Sequence, residues 1–376
     1  MKVAVVNLTS GGFSGGYRKY LQHMMPLLNG GGIIERADHF FPPKTETKLL
    51  EGWSHLHSWP SRDSWTGWRT LRSSICALSP DVVFIPTGHW VNCGPIPTVV
   101  MVRNMEPLLA PFGGNPLAEG LKNIARARSA RKACRKATRV IAVSQFVREF
   151  LESRWGIPGS KVGLVYHGIE SPVPREEASW NGAAENLQEK PFLFTAGSIR
   201  PARGLEDLLR ASALAFTDTD PWRIVVGGIC DPGLESHQGN LKKLAEKLGV
   251  SSRFVWAGKL TASEMAWCFY NAEGFVVTSR AEACPNLALE AMNYGCRVVS
   301  TRQPPMPEFF GDAALYYAPT NAPELADKLS ALLKKALPED RERRLMAEQR
   351  AREFTWEITA RKTVEELQRA VGTARG

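Results

Sequence analysis

The chain is 376 residues long, more than one hydrophobic core usually organises, so two domains are expected. Its 44% apolar content excludes a disordered or fibrous class, and no apolar run reaches the roughly 18 residues that a membrane span needs. The net charge of +9 favours anionic partners such as phosphates, nucleic acid or an acidic membrane; the seven scattered cysteines include no C-x-x-C pair, fitting a reduced cytoplasmic protein without a disulfide framework or zinc site.

The opening MKVAVVNLTSGGFSGG begins like a signal peptide. Its apolar run Val3–Leu8 is too short for one and meets glycines at once, which favours a first β-strand and its loop. Further strand-like runs follow at Pro80–Gly88, Pro97–Asn104, Arg139–Ser144 and Lys161–Gly168, with helical stretches such as Tyr17–Leu28 and Ser144–Trp155 among them. They are short, β-branched and apolar on both faces, as strands buried in a parallel sheet should be. Residues 171–190 are polar, hold two prolines and carry no sustained period, so they read as a linker. The alternation then restarts at Phe192–Ser198, Trp222–Gly228, Arg253–Gly258, Gly274–Ser279 and Arg297–Thr301, and the tail beyond Pro319 reads as helical and charged. The expected fold class is α/β, two doubly wound Rossmann-like domains. Such sheets bind ligands beyond the carboxyl ends of their strands, which places a shared ligand in a cleft between the domains.

Two segments after strands carry chemistry. AGSIRPARGLEDLLRA (Ala196–Ala211) offers Gly197 and Gly204 for tight turning and projects Arg200 and Arg203 beside a helix start. Guanidinium forks and free backbone N–H groups both favour oxyanions, so this turn suits a diphosphate. The alternative is a surface loop whose arginines pair with Glu206 and Asp207. SRAEACPNLALEAMNYGCRVVS (Ser279–Ser300) places Glu282 and Glu290 eight positions apart around Pro285, with a helix expected over Leu287–Tyr294. The N–H groups of Asn286, Leu287 and Ala288 are expected to point at a ligand, with Glu282 beside it and Glu290 one turn inside. The alternative is that Glu282 merely favours the helix dipole and Glu290 is the buried partner of an arginine.

The second segment resembles the donor-site signature of retaining glycosyltransferases of family four, with the two-Rossmann (GT-B) architecture. The first resembles their G-x5-[KR]-G turn, with Arg203 where lysine is usual. VIAVSQFVREFL, GDAALYYAPTNAPELADKL and EFTWE resemble supporting segments, the last where a terminal helix returns to the first domain. The likeness is strong over 140–360 and weak over 1–140.

The resemblance implies domains at 1–170 (acceptor side) and 191–355 (nucleotide-sugar side), a linker at 171–190, and a helix at 356–376 that packs on the first. It implies that Glu282 holds the donor sugar's hydroxyls and that Cys284, Pro285, Asn286 and Leu287 supply backbone contacts. Arg200 and Arg203 would neutralise the leaving diphosphate, with Gly197 and Ser198 in the same turn. Glu290 would hold the ribose and Lys259 would lie near the base. The reaction implied is retention without a metal or other cofactor, the leaving phosphate taking the acceptor's proton. Members often carry an arginine after the clamp's first glycine, where this chain has Ser198. Many also carry a histidine after the fourth strand of the first domain, where Arg103 and Asn104 stand.

The loop Ser10–Gly16 lacks G-x-G-x-x-G and an acid in a clean second strand, so it fails as a dinucleotide fingerprint. Gly15 and Gly16 are instead expected near the diphosphate or acceptor. Asp218–Asp220 (DTD) precedes a strand at the edge away from the ligand and reads as a solvated loop. His55 and His57 also read as loop, whereas His167 ends a strand and either touches substrate or is structural. Leu121–Arg139 holds eight Lys/Arg and no acid, close after a segment that interleaves Trp53, Trp59, Trp65 and Trp68 with Arg62, Arg69 and Arg72. That mixture suits an anionic membrane surface, and equally a solvated helix with packed aromatics. No nucleic-acid module matches.

The expectation is a cytoplasmic, peripheral glycosyltransferase that uses a UDP- or GDP-type sugar and a glycan or lipid-linked acceptor, as in polysaccharide biosynthesis. The alternatives are a non-catalytic nucleotide-sugar-binding protein on the same fold and a nicotinamide oxidoreductase.

Overall fold

The computed structural model describes residues 1–8, 15–30, 32–42, 53–59, 65–109, 115–182, 187, 190–333 and 338–375. Backbone contacts divide the chain into two units. The first comprises Met1–Leu108, Ile124–Gly168 and Phe354–Gly376, and the second Leu109–Asn123 and Ile169–Glu353.

The first unit is built on seven parallel strands: β1 (Lys2–Val6), β2 (Arg36–Phe41), β3 (Leu56–Ser58), β4 (Val82–Ile85), β5 (Thr98–Val102), β6 (Arg139–Ala142) and β7 (Val162–Leu164). Their order is β3-β2-β1-β4-β5-β6-β7. β4 and β5 are buried at every position, which is why they stand out as unbroken apolar runs. β2 does not stand out, because RADHFF carries Asp38 and His39. Asp38 is buried at a low cost because Arg36 Nε and Nη2 donate to its two oxygens at 2.8 Å and His57 Nε2 lies 2.8 Å away. Two expectations are corrected here. His57 lies in a strand, and the second strand does contain an acid, one already occupied by neighbours in its own sheet.

Helices α1 (Gly15–Gly30), α2 (Trp65–Ala77), α3 (Leu117–Lys136) and α4 (Gln145–Trp155) connect these strands. α4 shows how local sequence sets its ends: Ser144 Oγ accepts from Val147 N, and Gly156 at φ 66° closes the helix in the left-handed region. The last helix, α12 (Trp356–Arg375), belongs to the same unit. Its buried Glu366 accepts from Arg139 Nε at 2.5 Å, and Thr359 Oγ1 donates to Tyr166 O at 2.8 Å. A Cβ on Gly168 would stand 2.3 Å from Trp356 N, so only glycine allows this approach.

The second unit has six parallel strands: β8 (Phe192–Ala196), β9 (Arg223–Gly227), β10 (Phe254–Gly258), β11 (Gly274–Val277), β12 (Val298–Thr301) and β13 (Ala314–Tyr317). Their order is β10-β9-β8-β11-β12-β13. Helices α5 (Leu205–Ala215), α6 (Glu235–Lys247), α7 (Ala262–Asn271), α8 (Asn286–Asn293), α9 (Met306–Phe310), α10 (Ala322–Leu333) and α11 (Pro338–Ala351) complete it. Leu193, Ile224, Val226, Val276 and Val299 of the sheet bury against Leu208, Leu209, Leu325 and Leu329 of α5 and α10. The polar stretch ahead of β8 is held by this unit. Ser263 Oγ donates to Glu177 O at 2.7 Å, and the rings of Trp180 and Trp267 lie 5.5 Å apart.

Candidate active site

Strand order decides where a ligand can lie. In the second sheet the connections reverse direction between β8 and β11, the kind of switch point at whose carboxyl edge open α/β sheets take ligands. The loops leaving those two strands are 197–204 and 278–285, the segments that hold the two arginines and Glu282.

The two loops are bonded to each other. Arg203 Nη1 donates to Ser279 Oγ at 3.1 Å and forms an ion pair with Glu282. Thr278 Oγ1 donates to Arg203 O at 2.6 Å and Arg280 N to Ala202 O at 2.8 Å. Glycines permit the closeness. A Cβ on Gly204 (φ 61°) would meet Thr278 O at 2.5 Å, and one on Gly197 (φ 133°) would meet the Arg203 guanidinium at 2.8 Å.

β9 contributes a residue that sequence reasoning missed. Asp231 accepts from Ser198 Oγ at 2.8 Å and pairs with Arg200. The signal available was its position, four residues beyond the end of a buried strand next to β8. Glu206 and Asp207 do not partner the two arginines, as the surface-loop alternative required. Arg280 takes that place, with its Nη2 3.0 Å from Asp207 Oδ1 and 3.6 Å from Glu206 Oε2. Asp207 is buried, and Tyr317 OH and Thr320 N also bond it. His237 sits nearby, and burial holds its pKa below the usual imidazole value.

α8 starts at Asn286, one residue earlier than its sequence suggests, and no side chain caps it. Asn286 N already donates to Cys284 O and Ala288 N to Pro285 O, both at 3.0 Å, so the expected row of three free N–H groups is reduced to Leu287. Glu290 lies on α8 and is buried, while Lys259 is exposed directly after β10. Cys284 is half-buried and Pro285 buried. Asp218–Asp220 forms a turn on the opposite edge, closed by Thr217 N donating to Asp220 Oδ2 at 2.7 Å.

In the first unit, Asn7, Arg103 and His167 all lie at carboxyl ends of strands. Asn104 is exposed, as are Gly15 and Gly16 at the start of α1; residues 9–14 of the glycine loop lie outside the described residues. His167 is buried beyond β7, its ring 5.1 Å from Tyr20 and 6.2 Å from Trp356.

The membrane reading is corrected for Trp53 and Trp59. Trp53 and Trp59 are 8% and 3% exposed, the first packed 5.1 Å from His39 and 5.2 Å from Phe41. Burial of these two large rings stabilises the unit and withdraws them from any lipid surface. Arg62 and the Trp65 side chain lie outside the described residues. α3 keeps its exposure: Arg128, Arg131, Lys132, Arg135 and Lys136 line one open depression. Leu117, Leu121 and Ile124, on the same stripe one to three turns earlier, are 90%, 69% and 42% exposed. Among the described residues no helix is long and apolar enough to cross a membrane.

Comparison with known proteins agrees with this architecture. The model of the glycosyl transferases group 1 matches residues 179–354, and that of Glycosyltransferase Family 4 matches 35–171. A D-inositol 3-phosphate glycosyltransferase of Mycolicibacterium paratuberculosis is 27% identical over 56% of this chain, and the match spans about half (48%) of that relative's own length. The same-named protein of a Nocardioides species is 27% identical over 96% of this chain and 86% of its own. Among solved structures, Anabaena Alr3699/HepE in complex with UDP and glucose superposes with a TM-score of 0.76 at 17% identity, covering 98% of this chain and 99% of that one. A glycosyltransferase from Rickettsia africae gives 0.72 at 13% identity, covering 98% of both. At those identities the structural likeness speaks for the fold. Together, the two family models, one matching each unit, and the two doubly wound sheets show that the chain belongs to the glycosyltransferase family these models describe, with two Rossmann-like units.

Proposed function

We propose that the chain moves a sugar from a UDP- or GDP-type nucleotide sugar to a glycan or lipid-linked acceptor, with retention and without a metal, at the cytoplasmic face of a membrane. The observation that carries this reading is the joining of the Arg200/Arg203 turn to the Glu282 loop at the switch point of the second sheet. Each arginine there already has a carboxylate, Arg200 with Asp231 and Arg203 with Glu282. An incoming diphosphate exchanges these partners for its own oxygens, and the guanidinium groups stay charged throughout. As the bond to the anomeric carbon breaks, negative charge grows on the leaving phosphate. The two cations, fixed in advance, stabilise it there, and a phosphate oxygen takes the acceptor's proton. Glu282 holds sugar hydroxyls, Glu290 the ribose and Lys259 the edge of the base, while Ser198 and the Cys284–Leu287 backbone complete the donor side.

The UDP and glucose held by the Anabaena structure support a UDP-type donor and a hexosyl group, and the named activity of the curated relatives supports glycosyl transfer. The stripe on α3, apolar then basic, supports docking on an anionic membrane. The family match sets aside the nicotinamide reading.

The test is a thermal-shift panel of UDP-sugars, GDP-sugars and NAD(P)H, followed by turnover of the responding sugar with and without a chelator. One nucleotide sugar is expected to raise the melting temperature, with chelator-insensitive turnover and a product of unchanged anomeric configuration by proton NMR. Binding without turnover on any acceptor would leave a non-catalytic nucleotide-sugar-binding protein.

A further inference from the structure

We propose that the first unit carries an oxyanion site of its own, centred on Arg103, which receives a phosphate or carboxylate borne by the acceptor. This rests on the reading of that unit as the acceptor side.

Three strands of the first sheet end in one polar cluster. Asn7 follows β1 and is fully buried. Its Oδ1 accepts from Tyr17 OH, and its Nδ2 has no acceptor among the described residues. Arg103 follows β5. Its guanidinium carbon lies 3.6 Å from the centre of the Tyr17 ring and its Nε donates to Pro86 O at 3.2 Å. His167 lies beyond β7, 5% exposed, with Nε2 unpartnered among the described residues. The Tyr17 and Tyr20 rings, 6.3 Å apart, link the Arg103 and His167 sides.

The charges do not balance. Among the described residues no carboxylate pairs with Arg103. Burial lowers its pKa to about 10, which leaves it cationic at neutral pH. Burial and the nearby Arg103 push His167 down to about 3, so the imidazole supplies a hydrogen-bonding nitrogen and no charge. A cation half withdrawn from water with no carboxylate partner is costly, and polar atoms buried without partners add to that cost. Contact with Tyr17 accounts for the stacking of the guanidinium. It leaves the Asn7 amide and the His167 nitrogen unanswered. An oxyanion at Arg103 brings the missing charge and several acceptor lone pairs to this cluster. The cluster lies at the carboxyl ends of parallel strands beside the β1/β4 switch point, where open α/β sheets take ligands. Arg103 is only half-buried and Asn104 is exposed, so the site is open to solvent. The donor's diphosphate has Arg200 and Arg203, which leaves this site to the acceptor.

The test uses inorganic phosphate as probe, titrated calorimetrically into the full chain with UDP at saturation. Glycerol and glycerol 3-phosphate serve as a matched neutral and anionic pair. Phosphate and glycerol 3-phosphate are expected to bind and glycerol not to. Arg103→Met should weaken both anions about tenfold or more, and Arg103→Lys should fall between. UDP affinity should be unchanged in both variants. Because the basic face of α3 also attracts anions, the double change Arg131→Glu and Lys132→Glu serves as the control and should leave phosphate binding intact. Equal phosphate affinity in wild type and Arg103→Met would overturn the proposal, as would a wild type that binds UDP but no phosphate. Loss of UDP affinity in Arg103→Met, with UDP displacing phosphate, would assign the anion to the donor and also overturn it. A wild type that binds phosphate through Arg103 but no nucleotide would sink the transferase reading and leave the site standing.

Discussion

Arg203 and Glu282 act on each other before either meets a ligand. Their ion pair is partly exposed, so solvent screens it and its own contribution to stability is small. Its consequence is for binding. While Glu282 neutralises Arg203, a diphosphate has to compete for the guanidinium. Glu282→Ala is therefore expected to bind free UDP at least as tightly as wild type and, on the proposed role of Glu282 as acceptor of the sugar hydroxyls, to lose turnover. Glu290→Ala should weaken UDP itself. On the proposed mechanism Arg203→Ala removes a charge beside the leaving group and should lower kcat/KM by roughly 2–4 kcal/mol of transition-state stabilisation. Lysine at 203 should recover part of this as a point charge. Calorimetry with UDP beside steady-state rates checks these outcomes. Equal UDP affinity in the two glutamate variants would contradict the division of roles.

At the scale of elements, the turn that carries Arg200 and Arg203 depends on backbone approach. A Cβ on Gly228 (φ 131°) would stand 1.9 Å from Gly197 O, so the loops after β8 and β9 can touch only with glycine at 228. That contact brings Asp231 to Ser198 and Arg200. α3 is a different kind of element, one whose sequence is explained by what it leaves uncovered. Each lysine or arginine near an anionic surface contributes about 1 kcal/mol, screened beyond a Debye length. Co-sedimentation with vesicles is expected to require anionic lipid and to fall as salt rises. Reversing Arg128, Arg131, Lys132 and Arg135 to glutamate should abolish it and leave UDP binding unchanged, since all four are exposed. Wild-type protein that stays in the supernatant with anionic vesicles at low salt would leave a soluble acceptor.

For the whole molecule, buried histidines tie stability to pH. His167 and His39 have folded pKa values of about 3 and about 4, both lowered chiefly by burial, against an ordinary value near 6.5. Below that ordinary value the unfolded chain binds protons that the folded chain refuses. Stability is thus full above about pH 6.5 and falls as the pH drops, by ~1.4 kcal/mol per pH unit for each such group. His167→Phe should keep the ring against Tyr20 and Trp356. Denaturant unfolding between pH 6 and 4.5 should then show a pH slope shallower by about that amount. An unchanged slope would mean that His167 is protonated when folded.

Much of this was legible in the sequence for a physical reason. Strands buried on both faces leave continuous apolar runs, so most of the strands could be read directly, as could the two loops with their arginines and glutamates. β2 hid because Asp38 is satisfied by Arg36 and His57, and His57 comes from a neighbouring strand 19 residues away. By itself the sequence determined the two βα alternations, the family and the residue types beyond β8 and β11. Only the tertiary structure decided that Arg200 meets Asp231, that Arg280 serves Glu206 and Asp207, and that Trp53 and Trp59 are covered. Those pairings depend on β8 lying between β9 and β11, an order set by long-range packing that local periodicity does not encode.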